Sequence, residues 1–248
     1  MIEVKNLTKT FGPNVILDDV SFRVQTGESV VIIGRSGGGK SVLLKHLIGL
    51  LIPDSGEVFI DGEAICGLNE RQLIRVRTKF GMLFQGAALF DSLTVAENVS
   101  FALRRQKKYT EAEITKKVAQ ALEVVELSGT EDKRPSELSG GMRKRVGLAR
   151  AIIYEPQIVL YDEPTTGLDP VVSDSIDKLI VRVRDRLKVT TVVVTHDMRS
   201  TRRLGQRILM LHNKKIYVTG TPEEIFSSTD PVVYQFVNGI STIKEQIL

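Results

Sequence analysis

The sequence is short of several things. It has one cysteine, Cys66, in 248 residues. That excludes an intramolecular disulfide and a metal site built from clustered cysteines. No apolar run approaches the ~18 residues needed to span a bilayer. The first residues, Met1-Ile2-Glu3-Val4-Lys5, lack a secretory pattern. No Pro-, Gly- or Ser-rich linker and no fixed-period repeat appears. Charge of one sign is also missing: 34 Lys and Arg face 30 Asp and Glu, a net +4, so the chain is not a polycation. The basic stretches, Arg104-Arg105-Gln106-Lys107-Lys108 and residues 182–207, carry no interleaved aromatics, which disfavours nucleic-acid binding. They read as solvated faces, with a mild bias toward an anionic membrane surface. What remains is 42% hydrophobic and 26% charged residues, ordinary globular usage that excludes disordered and fibrous classes. The expectation is a soluble chain in a reducing compartment, compact and of one to two domains.

The order of residues is more informative. Val30-Val31-Ile32-Ile33, Ile158-Val159-Leu160-Tyr161 and Thr191-Val192-Val193-Val194 are apolar, β-branched and non-alternating. They are too short for helices and read as parallel strands buried on both faces. Each ends in polar chemistry: a glycine-rich loop, Asp162-Glu163, and Thr195-His196-Asp197. Open α/β sheets bind ligands at the carboxyl ends of their strands, so these segments should converge on one edge. The first ~30 residues and the segment from Gly56 to Gly62 read instead as half-buried antiparallel strands, as the alternation Val20-Ser21-Phe22-Arg23-Val24 illustrates. Thr110 with Glu113 predicts a capping box, and Thr221-Pro222-Glu223-Glu224 predicts a second helix start.

Gly34-Arg35-Ser36-Gly37-Gly38-Gly39-Lys40-Ser41 matches the phosphate-loop pattern G-x-x-x-x-G-K-[ST]. Small residues let successive amides turn toward phosphate oxygens, and the following helix, which includes Val42, adds its N-terminal dipole. Lys40 supplies a point charge to the terminal phosphates and Ser41 a hydroxyl for Mg²⁺. A chance match in a chain this long is roughly a one-per-cent event at average residue usage. Asp162 reads as a second Mg²⁺ ligand, acting mostly through water, and Glu163 as the general base for an attacking water. Leu138-Ser139-Gly140-Gly141-Met142 opens a helix with Ser139 as N-cap. Two glycines in a first turn are costly unless something approaches the backbone closely, and a second phosphate is the candidate. His46 and His212 read as packing or surface residues.

Taken together, these motifs resemble the ABC ATPase family over nearly the whole chain. The resemblance makes residues 34–41 the Walker A loop, Phe11 the adenine-stacking aromatic, Gln85 the Q-loop glutamine and a metal ligand, and Leu138 to Met142 the signature. Asp162 and Glu163 become the Walker B pair, Asp169 the D-loop aspartate, and His196 the switch histidine facing the terminal phosphate. It implies a P-loop α/β fold with an antiparallel β subdomain and an inserted helical subdomain. The nucleotide-binding core would be residues 1–85 and 155–228, the helical subdomain 86–154 and a tail 229–248. ATP and Mg²⁺ are the implied ligands. Met142 departs from the family's usual Gln and cannot supply the amide's hydrogen bonds; the Gly-Gly-Met form is similar to Mla-type (MCE-associated) phospholipid transport ATPases. Because the chain carries each motif once, the resemblance implies a homodimer with two composite sites. It further implies an integral-membrane permease docking near Ala88, Leu89 and Phe90, an MCE-type partner, and a peripheral place on the cytoplasmic face of the inner membrane. The alternatives are an ABC importer ATPase for another solute and a non-transport ABC ATPase; only about 100 residues separate Lys40 from Ser139, enough for one helical subdomain. The tail positions Val232, Val233, Phe236, Val237 and Ile240 share helical spacing. They either pack on their own domain or reach a partner, and the resemblance favours the partner.

Overall fold

A computed structural model describes residues 1–240. The chain runs β1 (Ile2–Phe11), β2 (Asn14–Val24), β3 (Ser29–Gly34), α1 (Lys40–Leu47), β4 (Ser55–Ile60), β5 (Glu63–Ala64), α2 (Glu70–Arg77) and β6 (Phe80–Leu83). Helices α3 (Val95–Gln106), α4 (Glu111–Val124) and α5 (Gly140–Ile152) follow, then β7 (Ile158–Asp162), α6 (Pro170–Leu187), β8 (Thr190–Thr195) and α7 (Met198–Leu204). The last elements are β9 (Arg207–His212), β10 (Lys215–Gly220), α8 (Pro222–Phe226) and α9 (Pro231–Asn238).

Two sheets form. One is antiparallel, in the order β2-β1-β4-β5. The other has the order β10-β9-β3-β8-β7-β6, all parallel except β10. Every residue of β3, β7 and β8 is buried, as expected for apolar strands covered on both faces. The pleat divides β3 between two cores. Val30 and Ile32 join the cluster under the antiparallel sheet and α1, while Val31 and Ile33 join the cluster beneath the helices. Because β3, β8 and β7 are neighbours in parallel register, with Ile32 opposite Val194 and Leu160 opposite Val192, their carboxyl ends share one edge. The phosphate loop, His196 and Asp162 with Glu163 all leave from that edge.

Local chemistry sets the helix starts. Thr94 with Glu97, Thr110 with Glu113 and Thr221 with Glu224 form capping boxes, each meeting two otherwise orphaned donors. Asn98, fully buried on α3, donates to the carbonyls of Phe90, Leu93 and Thr94 and accepts from the Phe90 amide. It thereby fixes the loop that precedes its own helix.

Of the two readings of the tail, packing on its own domain is the one that residues up to 240 show. Val233 is fully buried in the chain's own core, and Val232, Phe236 and Val237 pack against it. Tyr217 Oη donates to Asp230 Oδ2 (2.9 Å), the residue that caps α9. Tyr234 and Ile240, 51% and 49% exposed, are left uncovered. Four apolar side chains at one helical face bury more cheaply on the adjacent core than in water. The rest of the tail, 241–248, lies outside the described residues.

Helices α6 and α7 are tied together by Ser200 Oγ, which donates to Asp177 Oδ2 (2.7 Å). Asp177 Oδ1 is buried without a partner. Burial pushes this carboxyl up to about 6, so the folded chain holds its proton more tightly than the unfolded one. The stability this supplies is complete below the unfolded value near 4 and is lost as pH rises through about 6. Asp177→Asn should therefore raise the melting temperature by a few degrees at about pH 8 and change it little at about pH 4; thermal unfolding across that range tests this, and a pH-independent difference would contradict it.

Candidate functional site

The phosphate loop owes its shape to glycines. Gly39 caps α1 at φ 96°, and a Cβ there would meet Leu17 and Ile16 at 3.0 and 3.1 Å. No side chain caps α1, and its first turn holds no acid. Its first amides and positive dipole end thus face outward, ready for an anion. Lys40 follows directly. Its Nζ donates to Gly34 O (2.8 Å) and Arg35 O (3.0 Å) and lies 3.6 Å from Glu163 Oε1. Burial lowers the Lys40 pKa, and the Glu163 carboxylate opposes that shift.

The acidic pair sits opposite. Ser41 Oγ donates to Asp162 Oδ1 at 2.7 Å. Burial raises the Asp162 pKa, against the Ser41 hydrogen bond. Ser41 and Asp162 are hard oxygen donors of the kind that suits a small divalent cation, with the Gln85 amide lining the same cavity. Glu163 takes a left-handed backbone (φ 48°), its amide donating to Val194 O on β8. Such a conformation in a non-glycine residue persists only when its surroundings over-determine it. The carboxylate is also held: Oε2 accepts from Thr166 Oγ1 and lies 2.9 Å from His196 Nδ1.

A cavity of about 380 Å³ joins these groups. Phe11, Ile16, Ser36, Gly37, Gly39, Lys40, Ser41, Val42, Gln85, Glu163, Thr166 and His196 line it. Phe11 is 46% exposed at its mouth, placed for stacking. Three of the residues expected to contact nucleotide are not among those that line this cavity. Gly34 is absent from the lining and is needed where β3 passes β9, since a Cβ there would come 2.5 Å from Leu211 O. Arg35 and Gly38 line the adjacent pocket beside Leu211 and His212, and Ser36 and Gly37 between them border both. Asp162 stands behind Ser41. Ile16 and Thr166 are lining residues that motif reading missed. Thr166, three residues past Glu163 in a turn, carries the only signal that could have found it: a hydroxyl at return distance from the carboxylate.

The signature does not enter this cavity. Ser139 is exposed and caps α5 through Met142 N (3.3 Å). A Cβ at Gly141 would sit 2.6 Å from Val172, and one at Gly140 would sit 3.1 Å from Leu168. Within one chain, therefore, the close approach these glycines permit is to the segment after Walker B, not to a phosphate. Met142 packs its thioether against the core. Asp169 also points elsewhere, capping α6 by accepting from Val171 N and Val172 N at 3.0 Å.

Beyond Gln85, Ala87 and Ala88 both take positive φ (60° and 49°). Arg150 holds the turn by donating to both carbonyls, at 2.6 and 2.7 Å. Ala88 and Phe90 face a groove of about 530 Å³ that Phe84, Phe101 and Tyr154 also line. Leu89 does not join them; it is half-buried against the helical core, so the exposed contact expected of it is withdrawn.

Residues 17–166 match the family profile described as ABC transporter. The chain belongs to the ABC transporter family. It is 41% identical over 241 residues to the intermembrane phospholipid transport ATP-binding protein MlaF of Haemophilus influenzae, covering 97% of this chain and 91% of that one. It is 44% identical over 256 residues to the chloroplastic TRIGALACTOSYLDIACYLGLYCEROL 3 of Arabidopsis thaliana, covering 96% and 74%. To the Mycobacterium leprae protein named "Probable ribonucleotide transport ATP-binding protein mkl" it is 45% identical over 238 residues, covering 96% and 69%. The chain spans 66% of the length of the Mycobacterium tuberculosis counterparts. Among solved structures, the dimeric ATP-binding cassette MJ0796 in a post-hydrolysis state with ADP and Pi aligns with a TM-score of 0.82 at 34% identity, over 90% of this chain and 99% of that one. The chain is an ABC ATPase. Among the described residues, no helix is long and apolar enough to cross a membrane.

Thr166→Val removes one of the three groups around the Glu163 carboxylate, leaving His196 and Lys40, while keeping the side chain's volume. It should lower kcat about tenfold, the weight of one hydrogen bond to a charged group, and leave ATP affinity unchanged. Steady-state hydrolysis with a nucleotide-binding titration checks this; an unchanged kcat would contradict the role.

Proposed function

We propose that the chain is the ATP-hydrolysing subunit of a phospholipid transport system of the bacterial envelope, working as a homodimer beneath an integral-membrane permease with an MCE-type partner. The likeness to MlaF over nine-tenths of that protein's length carries the reading, together with the Gly-Gly-Met signature. The ribonucleotide named for the mycobacterial relative is the competing cargo, and the chain spans only about two thirds of the mycobacterial proteins.

The proposed chemistry begins at Lys40. Its ammonium sits on backbone carbonyls and would turn to the terminal phosphates when these enter the amide cradle at α1. Glu163, held by Thr166 and His196, would take the proton of the attacking water. His196 would contact the terminal phosphate, and Gln85, which lines the same cavity, would face it. Ser41, Asp162 and Gln85 would hold Mg²⁺, whose charge would offset that of the phosphates. Ser139, Gly140, Gly141 and Met142 would complete the site of the other subunit, since they do not reach their own. Binding then closes the dimer, and hydrolysis removes the contacts that closed it. Peripheral attachment at the cytoplasmic face of the inner membrane follows from a permease docked on the groove at Ala88 and Phe90.

Purifying the assembly from membranes tests both the partner and the cargo. The wild-type chain should co-purify with a permease and bound phospholipid. Phe90→Asp should abolish permease capture and leave the basal ATPase rate of the isolated chain unchanged. Undiminished capture would refute the docking site, and stimulation of hydrolysis by ribonucleotide rather than phospholipid would refute the cargo.

A further inference from the structure

Lys144, the fifth residue of α5, is only 5% exposed. A buried ammonium is costly unless its donors are met. Its Nζ donates to the carbonyl of Gln85, and to that of Glu163 at 3.2 Å. Burial lowers its pKa, and the charges of Asp162 and Glu163 oppose that shift. The neighbouring basic side chains of α5 serve other ends. Arg143 donates to Leu138 O, and Arg145 reaches Val125 O, Glu126 and Ser175. Arg150 holds the Ala87-Ala88 turn. Lys144 alone among these turns toward the acidic edge of the sheet.

Its two partners are the backbone carbonyls of two residues that line the nucleotide cavity, Gln85 and Glu163. Glu163 needs such an anchor. Its left-handed backbone is gripped on the amide side by Val194 O, and Lys144 grips the carbonyl side. Thr166 and His196 then orient the carboxylate. The helix that supplies Lys144 is the one that Ser139 opens. A shift of α5 would therefore move the ammonium on which both carbonyls rest.

We propose that Lys144 is a positioning residue for hydrolysis: its buried ammonium sets the backbones of Gln85 and Glu163 relative to the signature helix, so that the glutamate is aligned only while α5 keeps this place. The proposal rests on the reading of Glu163 as the general base. Loss of the ammonium frees the strained Glu163 carbonyl and misaligns the carboxylate, while the phosphate cradle at α1 is untouched.

The test compares the full-length chain with Lys144→Met, which keeps the length and loses the donors, and Lys144→Gln, which keeps a donor at shorter reach. Lys144→Met should lower kcat by about ten- to hundredfold, with KM and the binding of ATP within about twofold of wild type. Lys144→Gln should fall between, and it carries the test if the Met variant does not fold in a melting experiment. In a Glu163→Gln background, Lys144→Met should cause no further loss of the residual rate, because one group acts through the other. A kcat within about twofold of wild type overturns the proposal. So does a loss of ATP binding in proportion to kcat, or the same fractional loss in both backgrounds. Full hydrolysis by Glu163→Gln alone is a different result: it overturns the reading of Glu163 as base, and the positioning role with it.

Discussion

A buried ammonium governs the architecture of the site. Lys40 is 5% exposed, and taking such a charge out of water is tolerable only with strong local partners. Two carbonyls of its own loop and the Glu163 carboxylate provide them. For the loop carbonyls to converge on Nζ, the backbone must turn through conformations that only glycine adopts freely, hence Gly37 and Gly39 at positive φ. For Glu163 to reach it, β7 must lie within one strand of β3, with only β8 between. The strand order is thus tied to the charge balance at its edge. The same loop that holds Lys40 leaves the first amides of α1 uncapped, so a phosphate meets both the cation and the helix dipole.

The second constraint is spatial. The signature glycines are pressed against Leu168 and Val172 of their own chain, and Ser139 is exposed away from the phosphate loop. One chain therefore carries every motif and assembles only part of them. The glycines that read as room for a phosphate are first of all room for the segment after Walker B. The two demands are compatible, because a backbone that lets a neighbour close on one side leaves its amides open at the helix start.

Much of this was legible in the order of residues. The buried strands were marked by apolar, β-branched runs without alternation, and the half-exposed ones by alternation at Val20-Ser21-Phe22-Arg23-Val24, whose burial follows the same rhythm. Helix starts were visible because caps are local: Thr110 and Glu113 need only each other. What escaped depends on tertiary approach. Thr166 and Ile16 line the cavity because a turn and a strand bring them there, and no spacing rule records it. Gly34 and Arg35 belong to the phosphate-loop pattern, yet the loop turns one against Leu211 and the other into a neighbouring pocket. Lys144 is the middle of three consecutive basic residues, Arg143-Lys144-Arg145, and nothing in that run singles it out. Only the packing of α5 against β6, which brings its side chain to the carbonyls of Gln85 and Glu163, makes it a buried cation. The tail was ambiguous for a related reason: an apolar helical face has no address in sequence, and here it lies on its own core.

The central claim is that a working site needs the phosphate loop of one subunit and the signature of another. Mixing two inactive chains tests it directly. Lys40→Ala lacks the cation at the phosphate loop, and a chain with Ser139→Arg lacks a usable signature; each alone should be unable to hydrolyse ATP. In a mixed dimer one site receives an intact loop from one chain and an intact signature from the other. Hydrolysis should therefore return on mixing and rise with the fraction of mixed dimers. If mixing restores nothing, while each variant folds and the dimers exchange subunits, the site is not shared between chains.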